Sequence, residues 1–179
     1  ALSSFIRPYA PLIESYLMYL THLDVIGSKA KYAYSINGIL PKIKKTKRVY
    51  FKNAFHPILY VNNKEEKLEI VPQTIELNDK QQIIVISGPN AGGKSITLKT
   101  IGLLQIMLQS GILIPVDERS ETTIFNTILT DIGDNQSIEN QLSTYSYRLK
   151  NMRYFLRNCN ENTLFLIDEF GTGSDPELG

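Results

Sequence analysis

The residues Gly88-Pro89-Asn90-Ala91-Gly92-Gly93-Lys94-Ser95 run glycine, four residues, glycine, lysine, serine. That is the spacing of a phosphate-binding loop. Glycines let main-chain N–H groups wrap closely around phosphate oxygens, and a helix opening at Lys94 aims its positive dipole end at them. Lys94 adds a mobile cation, and the Ser95 hydroxyl is of the type that ligates magnesium. A second pair, Asp168-Glu169, closes the apolar run Leu164-Phe165-Leu166-Ile167. Asp168 has the chemistry to orient magnesium, and Glu169 the chemistry to polarise an attacking water for in-line phosphoryl transfer. Between them lies Leu142-Ser143-Thr144-Tyr145, just ahead of a helical stretch. Ser143 or Thr144 reads locally as an N-cap, although hydroxyls at a helix N-terminus also suit a phosphate.

These residues work together only if strands and helices bring them to one edge. Ile83-Ile84-Val85-Ile86 reads as a strand buried on both faces that delivers Gly88, and a helix over Lys94–Ser110, stopped by Gly111, follows. Ile112–Pro115 reads as extended, Ile124–Thr130 as a strand, Ser146–Arg157 as a helix and Thr163–Ile167 as a second apolar strand. This strand–helix alternation describes an α/β fold on an open parallel sheet. Upstream, Leu12, Tyr16, Leu20, Leu23, Ile26, Ala30 and Ala33 recur at helical steps over Pro11–Asn37, in one long helix or a pair broken at Gly27. Val49–Phe51, Ile58–Val61 and Leu68–Val71 read as short strands of an antiparallel lead-in.

The chain's 179 residues, 42% hydrophobic, leave room for one well-packed domain. Nineteen basic against eighteen acidic residues give +1, so net charge offers no case for nucleic acid or membrane binding. The basic run Lys42, Lys44, Lys45, Lys47 and Arg48 has no interleaved aromatics and reads as a solvated loop. A single cysteine, Cys159, excludes an internal disulfide and reads as a helix-end residue. With no signal peptide or membrane-length apolar run, the expected location is the cytoplasm. The sheet lacks the strands expected beyond Asp168-Glu169, so the sequence is expected to be cut from a longer polypeptide, its domain truncated at the C-terminus.

Taken together, these motifs resemble the ATPase domain of MutS-type mismatch-repair proteins, P-loop NTPases related to the ABC-transporter ATPases. The phosphate loop with Leu98-Lys99-Thr100-Ile101-Gly102, and Asp131-Ile132-Gly133-Asp134-Asn135-Gln136-Ser137-Ile138 running into Ser143, carry the likeness. So does Asp168-Glu169-Phe170-Gly171-Thr172-Gly173-Ser174-Asp175-Pro176, which is similar above all to the second MutS branch, linked to recombination control and often named an endonuclease. The likeness extends from about Leu20 to Gly179.

The resemblance implies an ABC-type ATPase sheet, with residues 1–40 as a helical lead-in derived from the DNA-clasping levers and 41–179 as an incomplete ATPase domain. It implies ATP and Mg2+ as cofactors, held by Gly88, Pro89, Asn90, Ala91, Gly92, Gly93, Lys94, Ser95 and Ile96. Ser95 and Asp168 take the metal and Glu169 the water, while Ser143 reaches the nucleotide of a second subunit. Asp131 falls in a loop that senses the γ-phosphate, His56 in Phe55-His56-Pro57 precedes the nucleotide site, and Ile70 and Val71 sit where adenine contacts are expected. The implied function is ATP hydrolysis that gates a homodimeric clamp on mismatched or branched DNA, bound through regions outside this chain, with no membrane partner. The alternative is a nucleotide-gated scaffold on ribosomes or branched nucleic acid, with hydrolysis incidental. An ABC-transporter subunit is disfavoured, because the glycine pair expected after the serine is missing.

Overall fold

A computed structural model describes residues 2–89, 93–133 and 141–169, with the backbone alone at Leu2 and 141–147. A short helix α1 (Leu2–Ile6) and a 3-10 turn lead into α2 (Ala10–Ser35), one continuous helix of 26 residues. Gly27 does not break it. Four short strands, β1 (Lys42–Ile43), β2 (Val49–Ala54), β3 (Gln73–Leu77) and β4 (Glu121–Thr122), form one sheet in the order β1-β4-β2-β3. In it β2 is antiparallel to both β3 and β4, whereas β1 runs parallel to β4. A second sheet is the parallel pair β5 (Thr127–Asp131) and β6 (Thr163–Ile167), in register from Thr127↔Thr163 to Asp131↔Ile167. Helices α4 (Lys94–Gln109) and α5 (Gln141–Asn158) complete the α/β architecture, and α3 (Pro57–Glu66) crosses between β2 and β3.

The core is one apolar cluster where α4 meets both sheets. Ile101, Leu104, Met107 and Leu108 recur at three- and four-residue steps on α4 and meet Val49, Phe51, Ile75, Leu164 and Leu166 from the strands. Gln105 lies on the same helix and is fully buried. Its amide donates to the Thr123 carbonyl at 2.9 Å and its oxygen accepts from the Thr122 hydroxyl at 2.9 Å, as a buried polar group requires. The helix ends at Gly111 (φ 72°), where the Lys29 ammonium of α2 donates to the Ser110 carbonyl at 2.6 Å.

Three strands expected from the sequence are absent from their places. Ile58–Val61 is helical, because Pro57 occupies the first turn of α3, where its fixed φ favours a helix and its missing N–H costs nothing. Leu68–Val71 is irregular, with Leu68 and Val71 exposed; the strand begins past Pro72, at Gln73, where Ile75 is buried opposite Phe51. The third is Ile83–Ile86, which belongs to no sheet of the described residues, with Ile83 83% and Val85 85% exposed. A β-branched run favours a pleated strand, but only partner strands on both sides bury it. The expected continuous parallel sheet is accordingly seen only as the β5–β6 pair. Ile112–Pro115 makes just one bridge, Ile39↔Ile114, and Ile124–Phe125 precede β5 outside the sheet.

Lys44, Lys47 and Arg48 of the basic run pair with carboxylates. Glu121 lies 3.0 Å from Arg48 and 3.6 Å from Lys44, Glu76 lies 3.2 Å from Arg48, and Glu161 lies 3.3 Å from Lys47. Cys159 is at a helix end as expected, but exposed. No helix among the described residues is long and apolar enough to cross a membrane.

Candidate functional site

Of the phosphate loop, Gly88, Pro89, Gly93, Lys94 and Ser95 are described; Asn90, Ala91 and Gly92 lie outside the described residues. Gly88 holds φ at 149° and Gly93 at 77°, values that L side chains rarely adopt, so glycine is needed at both bends. A Cβ at either position would meet nothing within 4 Å. Backbone geometry therefore requires the glycines. Gly93 is the N-cap of α4, and its carbonyl accepts the Thr97 N–H at 2.9 Å and the Thr97 hydroxyl at 3.1 Å. Lys94 folds back, its Nζ donating to the Gly88 carbonyl oxygen across the loop. A cation and a helix's positive end thus converge on one short turn, as an anion site requires. Ser95 is half-buried in the first turn, and Ile96 beside it is 37% exposed.

The carboxylates sit at the C-terminal ends of the parallel pair. Asp131 ends β5, and its carbonyl accepts the Asp168 N–H at 2.9 Å just beyond β6, so the two acids leave adjacent strands side by side. Among the described residues Oδ2 of Asp131 is buried without a hydrogen-bond partner, a costly state unless a donor or cation completes it. Oδ1 of Asp168 accepts the Glu169 N–H at 3.1 Å. Hard oxygen donors at this edge and the hydroxyl of Ser95 are the donor chemistry that magnesium takes. The residues present fit both a nucleotide phosphate chain and its metal.

One close contact joins the two halves. At Gly102, a Cβ would stand 2.6 Å from Cδ1 of buried Leu166, so α4 packs closely on that side chain of β6. A Cβ there would push that methyl aside, and the contact ties the helix carrying Lys94 to the strand that leads to Asp168. His56 is the N-cap residue of α3, and among the described residues its Nδ1 is buried without a partner. Burial, and then the charge of Lys99 on α4, push its pKa below 6.5. It therefore lies within the field of the helix that follows the loop. Ile70 is half-buried and Val71 is 73% exposed, both between α3 and β3. Ser143 falls in the first turn of α5; its side chain, with Asp134 to Ile138 and Phe170 to Pro176, lies outside the described residues.

One residue at this edge escaped the sequence. Nη1 of Arg148 on α5 donates to the main-chain oxygen of Glu169 at 2.8 Å, and its Nη2 is 3.7 Å from Glu169 Oε2. Nothing local distinguishes Arg148 from Lys150 or Arg153 on the same helix; only the packing of α5 beside β5 and β6 does.

Comparison with known proteins places this geometry in context. Residues 84–179 match the family described as MutS domain V. The chain is 51% identical over 160 residues to a protein named Endonuclease MutS2 from Finegoldia magna, covering 89% of this chain and 20% of that protein. Proteins of the same name from Pediococcus pentosaceus (42% over 178 residues, 99% of this chain and 22% of that protein) and Staphylococcus epidermidis (45% over 157 residues, 88% and 19%) are also similar. The chain spans about a fifth of the length of these curated relatives.

Proposed function

The chain belongs to the MutS family, and from that premise we propose that it is the ATP-binding and ATP-hydrolysing module of a DNA-acting MutS-type protein. The observation that carries the reading is the loop: Gly88 and Gly93 at positive φ, closed across by Lys94 at the head of α4. Lys94 would exchange its loop carbonyl for phosphate oxygens, and the first turn of α4 would hold them with main-chain N–H groups. Ser95 and Asp168 would hold magnesium, which when bound neutralises charge on the phosphate oxygens. Glu169 would take the proton from a water aligned on the terminal phosphate, while Asp131 lies beside Asp168 where the metal's surroundings are set. Ile70, Val71 and His56 are assigned to the base side of the nucleotide, as the resemblance implies.

In this reading two copies meet head to tail, the Ser143 turn of one facing the Lys94 loop of the other, and nucleotide state gates a clamp on mismatched or branched DNA. Residues 1–40 then lead from the clamp into the ATPase domain at 41–179. The cleavage stated in the relatives' name is assigned to no residue of this chain.

The test is equilibrium binding of a fluorescent ATP analogue with magnesium, for the natural chain and Lys94→Ala, with light scattering on the same samples. Binding weakened at least about tenfold in the variant, with nucleotide-dependent dimerisation of the natural chain, is expected. Equal affinity in the two proteins would remove the nucleotide assignment. Turnover in the intact protein indifferent to any nucleic acid would favour the scaffold alternative.

A further inference from the structure

Glu169 holds φ at 49°, in the left-handed region, which a residue with a Cβ adopts when its surroundings impose it. Two of those surroundings are at hand. The Glu169 N–H donates to its neighbour Asp168 at 3.1 Å, and its carbonyl oxygen accepts Nη1 of Arg148 at 2.8 Å. Nη2 of the same guanidinium faces the Glu169 carboxylate at 3.7 Å. A guanidinium is a rigid planar fork, so the two ends of the contact cannot vary independently. With the peptide oxygen gripped by one nitrogen, the carboxylate is held to one side of the other. The cation is the better-buried partner, its side chain 18% exposed against 48% for Glu169, and it is rooted in a helix while the glutamate follows a strand end. Ionic attraction across so exposed a pair is weak, so orientation is what the contact supplies.

We propose that Arg148 is a positioning residue that sets the pose of Glu169 and makes that pose depend on helix α5. The inference rests on the reading above, that Glu169 is the base for the attacking water. Ser143 lies five residues earlier on α5, about 7.5 Å along the axis at 1.5 Å per residue. One rigid element thus spans the turn assigned to the second copy's nucleotide and the guanidinium that orients this copy's base. Docking of the α5 N-terminus would move or steady Glu169 through Arg148, so hydrolysis would respond to occupancy of the opposite site.

The test is steady-state ATP hydrolysis and nucleotide affinity in the intact protein for Arg148→Ala, Arg148→Lys, Glu169→Gln and the double variant Arg148→Ala/Glu169→Gln. The expected result is kcat lowered about 10- to 100-fold by Arg148→Ala, with KM and nucleotide affinity within about twofold. Arg148→Lys, which keeps a donor for the carbonyl but loses the fork, should fall between it and the natural protein. The double variant should be no slower than Glu169→Gln alone, because a positioning residue has nothing left to position. Turnover by Arg148→Ala within twofold of the natural protein overturns the inference and leaves the proposed function standing. Losses that multiply in the double variant overturn it too, since Arg148 then acts elsewhere. Undiminished hydrolysis by Glu169→Gln removes the base assignment and this inference together. Should Arg148→Ala fail to fold, the same cycle made with Arg148→Lys decides: coincident losses support the proposal and multiplied losses overturn it.

Discussion

His56 shows how a single side chain reports its surroundings. A neutral imidazole can leave Nδ1 buried and unpaired, but a protonated one would set a charge against both burial and the Lys99 ammonium. Its pKa is therefore lowered from 6.5 in the folded chain, and the unfolded chain binds the proton more readily. The sign follows by linkage: the contribution of His56 to stability is full above pH 6.5 and is lost as pH falls from there through the lowered folded value. Urea midpoints at pH 7.5 and 5.5 should thus fall further for the natural chain than for His56→Gln, which cannot take the proton. The same fall in both would mean that His56 is not held neutral by the fold.

At the scale of elements, two glycines in helices make opposite demands. Gly27 in α2 has nothing within 4 Å of where a Cβ would stand, whereas at Gly102 in α4 that Cβ would come 2.6 Å from Leu166 Cδ1. Alanine gains about 1 kcal/mol over glycine in a helix, and overpacking a core costs about 1–3 kcal/mol. Gly27→Ala should therefore stabilise by up to about 1 kcal/mol, and Gly102→Ala should destabilise by up to about 2 kcal/mol once its own helix gain is offset. Leu166 is 3% exposed, so its methyl must shift within the core, and Leu166→Val in the Gly102→Ala background should recover part of the loss. Denaturant titration of the three variants checks both signs. A stabilised Gly102→Ala would show that α4 and β6 are not in tight contact.

Across the whole molecule, stability is unevenly spread. Core residues of α4 such as Leu104 and Met107 are buried against strands, but Ala33 is the one buried residue of α2, and its first four turns carry exposed Leu12, Ile13, Tyr16, Leu17 and Leu20. A helix without tertiary cover has little to hold it beyond its own marginal propagation. Amide hydrogen exchange of the chain alone should show residues 12–26 exchanging orders of magnitude faster than 100–108, with protection in α2 rising toward Lys29 and Ala33, where it is tied to the rest. Uniform protection along α2 would mean that its apolar face is covered in solution.

Local signals determined much of this protein by themselves. The glycine spacing, the helix that starts at Lys94 and is stopped by Gly111, the apolar strand running to Asp168 and the long N-terminal helix are all written in short-range pattern and turn chemistry. Such features depend on residues a few positions apart, and the structure has them where the pattern puts them. Short apolar runs were not decided by their own composition. Ile58–Val61 became helical because Pro57 set the first turn, and Ile83–Ile86 stayed exposed because burial of a strand is conferred by neighbouring strands, not by its own composition. The same holds for the candidate site. Residue type and spacing pointed to Lys94, Asp168 and Glu169, but the meeting of Asp131 with Asp168, the near contact of Gly102 with Leu166 and the grip of Arg148 on Glu169 join residues far apart in the chain. Pairings of that kind arise only when helices and strands pack, so tertiary structure alone decided them.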